Sequence, residues 1–333
     1  MTTTRQPIEQ NRGVQLRSFL LRQEVILFII LMIAMLFLTL GSDKFLTVDN
    51  LLNQGRLLTE IALVALPMTF IIVTGGIDLS VGSIMGLCAI LLGYMWNPSG
   101  PFQWPLELAV IFSLLVGTLC GVVNGLIIVR IGVPPLITTL ATLALYRGLA
   151  EGISQARSVR NYPESFYVLG QGTFLGVPTQ LWVVLVFVII TAIVLSRTVF
   201  GRSLYAIGNN EVAARFSGIP VGLYKIIIYG FSGFMSGMAA WIFVSRVTTT
   251  RSDMGSGLEL DAIAAVVLGG TSIFGGSGSI IGTVIGFVLI QLLKNGLALS
   301  GVTTDGTIVV IGTVLIFAIL INNFIQRRSS AVN

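Results

Sequence analysis

Few side chains in this sequence could do chemistry, and most of them stand at the edges of apolar stretches. Asp78 follows Gly75 and Gly76 where one apolar stretch gives way to the next. A carboxylate at such a break can receive the free backbone N–H groups that open a helix, which is the preferred reading, or it can act with Ser80 as a gate on a solute path. Glu259 and Asp261 open a short apolar stretch near Arg251 and Asp253. Solvation at a membrane surface accounts for them most simply, and a place at the mouth of a path is the functional alternative. Asn124 lies in a Gly-rich apolar stretch, where its amide suits a bond to a neighbouring helix better than one to a solute hydroxyl.

Composition excludes much else. The chain has no His, so no His-based metal site, proton relay or catalytic triad can be built, and no other cluster of ligands stands in for one. A P-loop needs Gly-Lys followed by Ser or Thr. The three lysines are Lys44, Lys225 and Lys294, and none follows a glycine. Cys88 and Cys120 both lie in apolar stretches and read as small buried residues, not a disulfide. No catalytic residue, metal or cofactor is assigned to the chain, and no dense basic patch suggests nucleic acid.

The richest local pattern runs over 201–220. Asn209 or Asn210 can cap a short helix, Glu211 suits its positive N-terminal end, and Arg215 suits the negative end and can pair with Glu211. Gly218 can close the helix and Pro220 stops it. So short a helix needs something to pack on. Val212 and Phe216 share a face, which fits either a groove on a cytoplasmic partner or the chain's own bundle.

The elements that hold these residues are membrane spans. Of the 333 residues, 54% are hydrophobic and 10% charged, where soluble domains carry about 25% charged residues. Apolar stretches at 25–40, 58–74, 79–96, 106–129, 135–150, 181–196, 223–245, 259–270, 280–299 and 306–325 predict an all-α polytopic membrane protein of about ten transmembrane helices with Gly-rich breaks. The stretch 259–270 is the weakest of the ten, counted among the spans but short for a full crossing. The first reads as an uncleaved signal anchor behind Arg5, Arg12, Arg17 and Arg22. With both termini in the cytoplasm, eleven of the 19 Lys and Arg residues fall inside. Gly117, Gly121 and Gly125, and Gly278, Gly282 and Gly286, mark close helix packing within the bundle. The strings around Gly75–Gly86 and Gly269–Gly282 echo one another as span, break, span, a weak sign of an internal repeat.

Three strings in order carry a resemblance. They are Gly75-Gly76-Ile77-Asp78-Leu79-Ser80-Val81-Gly82-Ser83, then Ala206 to Ile219, then Ala262 to Gly270 continuing through Gly275-Gly276-Ser277-Gly278-Ser279. From about residue 45 onward the sequence resembles the permease subunits of bacterial ABC importers of the ribose type, which handle monosaccharides and autoinducer-2-like compounds. The resemblance implies a transport subunit of the inner membrane, not an enzyme, with a sugar or sugar-like solute. It implies a second permease copy or paralogue, a periplasmic substrate-binding protein, and separate ATPase subunits that use ATP and Mg. It places the ATPase contact on Gly208, Asn209, Glu211, Ala213, Ala214, Arg215 and Gly218. Hydropathy and the placement of Lys and Arg divide the chain into a cytoplasmic segment 1–22, a permease domain 23–326 with a cytoplasmic loop 197–222, to which the resemblance gives the coupling role, and an outer loop 151–180, and a cytoplasmic tail 327–333. The outer loop, long for a connector, is expected to help receive the binding protein. An ion-coupled secondary transporter and a branched-chain amino acid permease are the alternatives. The first would need more ionisable residues at the midplane, and the second a site for ammonium and carboxylate groups.

Overall fold

The computed structural model describes residues 23–155, 157–303, 305–313 and 316. Each of the ten apolar stretches carries a helix. The order is α1 (Gln23–Gly41), α2 (Val48–Val73), α3 (Val81–Trp96), α4 (Leu106–Leu126, continued by a π turn Ile127–Ile131) and α5 (Pro135–Ser154). Then follow a short α6 (Tyr167–Gln171), a two-residue antiparallel hairpin β1 (Thr173–Phe174) and β2 (Val177–Pro178), and α7 (Thr179–Arg197). The second half holds α8 (Val199–Asn209), α9 (Glu211–Phe216), α10 (Val221–Val247), α11 (Leu258–Leu268), α12 (Ile280–Leu299) and a helix α13 over 305–313. Five of these are long and apolar enough to cross a membrane by length and composition: α2, α4 with its π turn, α7, α10 and α12. The chain is an all-α multi-pass membrane protein. The segments 1–22 and 327–333 lie outside the described residues.

Helix α2 starts ten residues before its apolar stretch because Thr47 caps it, accepting the N–H of Asn50, with Asp49 in the first turn. That added length carries Asn50 and Gln54 to Asn295 and Gln291 of α12 (2.8 Å each). Helix α2 is the centre of the bundle, with 83% of its apolar window buried. Helices α4 and α7 are peripheral: Leu108, Ile111, Leu115 and Leu119 on one, and Ile189 and Ile193 on the other, point outward. In lipid that surface needs no cover, because a helix satisfies its own backbone.

Small residues let helices cross closely. A Cβ at Gly121 of α4 would lie 2.0 Å from the carbonyl oxygen of Tyr229 on α10, and one at Gly233 would lie 2.0 Å from that of Gly117. On the other side of the molecule, a Cβ at Gly286 of α12 would lie 1.9 Å from the carbonyl oxygen of Ala265 on α11. Both stripes are used within the chain, as the bundle-packing reading expects. Gly278 is not part of the second stripe; it precedes Ser279, which caps α12 by accepting the N–H of Gly282.

Helices α2 and α11 end, and α3 and α12 begin, at one end of the bundle. There the N–H of Gly276 donates to the carbonyl of Val73 (2.9 Å). Helix α8 reaches the same place, since a Cβ at Gly208 would lie 1.9 Å from the Val73 oxygen. The two breaks that echo each other in sequence therefore lie side by side, at what we call the α9 end. Arg130, Arg197, Arg202, Arg215 and Lys225 belong to this end. Lys44, Arg56, Arg157, Arg160, Arg246, Arg251 and Lys294 belong to the opposite half, whereas the guanidinium of Arg147 reaches the first turn of α3 at Gly82. The charges that decide orientation, Arg5 to Arg22 and Arg327 with Arg328, lie outside the described residues.

Candidate functional site

The α9 end presents a short, braced projection. Asn210 is the residue that caps α9: its side chain accepts the N–H of Ala213 (2.9 Å). Asn209 closes α8 instead and lies against Gly276, where a Cβ would meet the Asn209 side chain and where a φ of 77° favours glycine. Glu211 receives Arg215 at 3.1 Å, as its spacing predicts, and also Lys225 of α10 at 2.6 Å. Burial acts to raise the pKa of Glu211, but the bonds and charge of Lys225 and Arg215 outweigh it and hold the carboxyl below the usual range. Ala214 is buried against the chain's own bundle, while Ala213 is exposed. Gly218 takes a φ of 83° and its N–H donates back to the carbonyl of Arg215 (3.1 Å), closing the helix. Val212 and Phe216 are 65% and 88% exposed. Their shared face does not pack on the bundle, so an apolar pair stands at the tip of a projection tied down on its other side. Lys225 was beyond reach of spacing arguments, because it lies fourteen residues from Glu211.

Asp78 sits in the break between α2 and α3, fully buried. It does not cap α3, contrary to the capping reading: the N-cap of α3 is Ser80, without a side-chain cap bond, and Asp78 accepts the N–H of Ser80 (3.0 Å) in the turn ahead of the helix. It also accepts the hydroxyls of Ser80 (2.6 Å) and Ser232 of α10 (3.0 Å). Asn124 of α4 donates to the Ser80 hydroxyl (2.8 Å) and accepts from Tyr146 of α5 (3.4 Å). The network joins four helices around one carboxylate, which is the helix-to-helix role expected of Asn124. None of these residues lines a described cavity.

Glu259 and Asp261 separate from this group and from each other. They follow an irregular segment, 248–257, that descends along α3. Thr250 lies beside Gly93 of α3, and further down a Cβ at Gly82 would meet the carbonyl oxygen of Gly255 at 2.2 Å. Helix α11 then covers only about 16 Å at 1.5 Å per residue, half of a hydrocarbon core of about 30 Å. The weak stretch at 259–270 is thus a half-helix preceded by a run of turns over 252–257. Non-helical backbone at such depth survives only when buried in protein or lining a cavity. Here Arg147 of α5 satisfies it, donating to the carbonyls of Ser252, Met254 (3.0 Å) and Gly82 (3.3 Å). Glu259 turns toward α3, where one carboxylate oxygen is buried without a partner. Asp261 faces the other way and pairs with Lys294 of α12 at 2.5 Å.

That other side is a cavity of about 730 Å³, opening away from the α9 end. Its walls come from α2, α10, the irregular segment, α11 and α12. Besides Asp261 and Lys294 it holds Glu60, whose Oε1 receives Arg246 Nε and Nη2 at 3.1 and 3.0 Å. The connection between α5 and α7 packs over the same end. Tyr162 stacks between Trp96 (4.4 Å) and Phe166 (4.7 Å), and Val159 bridges to Thr250. Among the described residues no group of three or more carboxylate or thiol side chains could hold a metal ion.

A buried bundle with a broken half-helix, a cavity at one end and a braced projection at the other defines a membrane transport component. Residues 48–319 match the family described as branched-chain amino acid transport system / permease component, and the chain belongs to that family. The ribose import permease protein RbsC of Haemophilus influenzae is 35% identical over 96% of this chain and 98% of its own length. RbsC of Bacillus subtilis is 41% identical over 91% of this chain and 92% of its own. The autoinducer 2 import system permease protein LsrD of Yersinia enterocolitica is 37% identical over 88% and 92%. No solved structure matches the chain. The chain is therefore a transport subunit and not an enzyme.

Proposed function

We propose that this chain is the membrane-spanning permease of an ATP-binding-cassette importer for a sugar or sugar-like solute. The observation that carries the reading is the α9 tip, where Val212 and Phe216 stand exposed on a helix braced through Glu211, Lys225 and Asn210. A partner ATPase would receive that pair. Gly208 and Asn209, wedged against the breaks at Val73 and Gly276, would pass its movement to α2, α3, α11 and α12 together. Glu211, Ala213, Ala214, Arg215 and Gly218 shape and hold the projection. Relatives named for ribose and autoinducer 2 support a polyhydroxylated solute over the branched-chain amino acids in the family's description.

The reading carries further parts. The α9 end is cytoplasmic, with both termini on that side of the inner membrane and about ten crossings. A second permease copy or paralogue completes the pathway, and ATP and Mg are used by the ATPases. A periplasmic binding protein docks on the outer loop. Tyr162 and Phe166 are buried, so deleting that loop would damage the fold. Arg157→Glu with Glu164→Lys tests the docking through exposed side chains alone.

The decisive experiment reconstitutes this chain in liposomes with an ATPase and binding protein encoded beside it, and follows labelled D-ribose, D-xylose and L-leucine. ATP-dependent sugar accumulation is expected. Uptake by this chain alone under an ion gradient would replace the reading with a secondary transporter, and uptake of leucine alone with an amino acid permease.

A further inference from the structure

The cavity between α2, α10, α11 and α12 has a chemistry that the importer reading does not require. Its volume of about 730 Å³ lies within the roughly 300–1,000 Å³ of small-molecule sites. Three carboxylates line it, and each already has a cation: Glu60 with Arg246, Asp261 with Lys294, and Asp253 with Arg251; a fourth cation, the exposed Arg160, lines it with no carboxylate beside it among the described residues. Glu60 and Arg246 are only 6% and 19% exposed at the side chain. Opposite charges at contact cancel one another, and only Arg160, exposed to solvent, is left over, so an ion reaching Glu60–Arg246 or Asp261–Lys294 would have to break a pair to be bound there. Each pair still keeps hydrogen-bonding capacity. Glu60 binds Arg246 through Oε1 alone, leaving Oε2 to accept, and Lys294 uses one of its three ammonium protons on Asp261. Hydroxyl groups, which both donate and accept, fit such paired charges. Met85, Phe243 and Leu258 supply apolar wall for C–H faces.

We propose that this cavity is a binding site for a neutral polyhydroxylated solute, built within a single copy of the chain. Glu60–Arg246 and Asp261–Lys294 form its two polar walls. The choice of solute class rests on the importer reading, while the site's existence does not. Its floor is the irregular segment over 253–257 with Leu258 at the start of α11, and Arg147 holds that segment against α3. A solute seated there would touch the half-helix α11 directly and, through α11, the break at Gly269–Gly276.

The test uses the full chain in nanodiscs with Thr249→Cys, a half-buried cavity residue, and Ser99→Cys, which lies at the same end but outside the cavity. The native Cys88 and Cys120 are buried and give little background. Labelling by a charged methanethiosulfonate is timed with and without D-ribose, ribitol or L-leucine. At a polyol concentration about ten times Kd, labelling at position 249 should slow about tenfold, because only the empty fraction reacts, and position 99 should be unaffected. Ser256→Cys repeats the measurement should Thr249→Cys disturb the fold. Unchanged rates with both polyols, or protection by leucine alone, overturn the proposal. Protection by polyols that the reconstituted importer fails to carry would keep the site and sink the import reading. Import without protection would do the reverse.

Discussion

Replacing Phe216 with alanine separates a docking helix from a merely structural one. The side chain is 88% exposed, so its loss should change the permease's own stability by no more than about 0.5 kcal/mol, as for surface sites generally. A groove that takes the ring would bury nearly all of it, and full burial of a Phe side chain contributes about 1.5–3 kcal/mol. That corresponds to an ATPase affinity weaker by about 10- to 150-fold. Val212→Ala removes about two methylene equivalents and should weaken binding by roughly tenfold. The assay titrates nanodisc-embedded permease with purified ATPase and reads Kd beside the melting temperature of the permease alone. Two results would refute the reasoning. An unchanged Kd for Phe216→Ala means the exposed face is not the contact. A melting temperature lowered by several degrees means the ring packs on its own bundle.

Other consequences follow from the same contacts. Gly121→Ala should destabilise the α4–α10 crossing by at least 1–3 kcal/mol, the usual cost of overpacking, because its Cβ meets a backbone oxygen. Gly148→Ala on α5, with nothing within 4 Å, should leave the melting temperature unchanged or raised. Asp78→Ala strands one N–H and two hydroxyls, each worth about 1–3 kcal/mol when buried unpaired, so thermal unfolding should reveal a loss larger than that of Tyr146→Phe. The lowered pKa of Glu211 sets a pH dependence. Its bracing of α9 is complete above the ordinary carboxylate pKa near 4.5 and is lost as pH falls through the lower folded value. The contribution is small, under about 1 kcal/mol for so exposed a pair. Protection factors for hydrogen exchange over 211–217, which remove the intrinsic effect of pH, should fall in acid for wild type and not for Glu211→Gln.

The sequence was legible where the physics is local. Ten apolar stretches announce helices because the bilayer forces each segment to satisfy its own backbone. The Glu211–Arg215 pair and the close of α9 at Gly218 follow from spacing along one helix. The Gly stripes announced close contacts, but not their partners, since a glycine records only that something approaches. Helix α2 outran its apolar stretch because a Thr47 cap can carry polar turns that hydropathy ignores.

Sequence alone thus determined the class of solvent, the helical repertoire, the absence of a His- or P-loop-based engine and the shape of the α9 projection. Tertiary structure decided which residues meet. It separated Asp78, Ser80 and Asn124, locked inside a four-helix junction, from Asp261, which faces a cavity. It joined Glu60 to Arg246 across 186 positions, and it turned 248–257 into a segment that leads into a half-helix. Those contacts bring together residues far apart in the chain. A periodicity of a few residues cannot encode them; they arise only when close helix packing brings the partners into register.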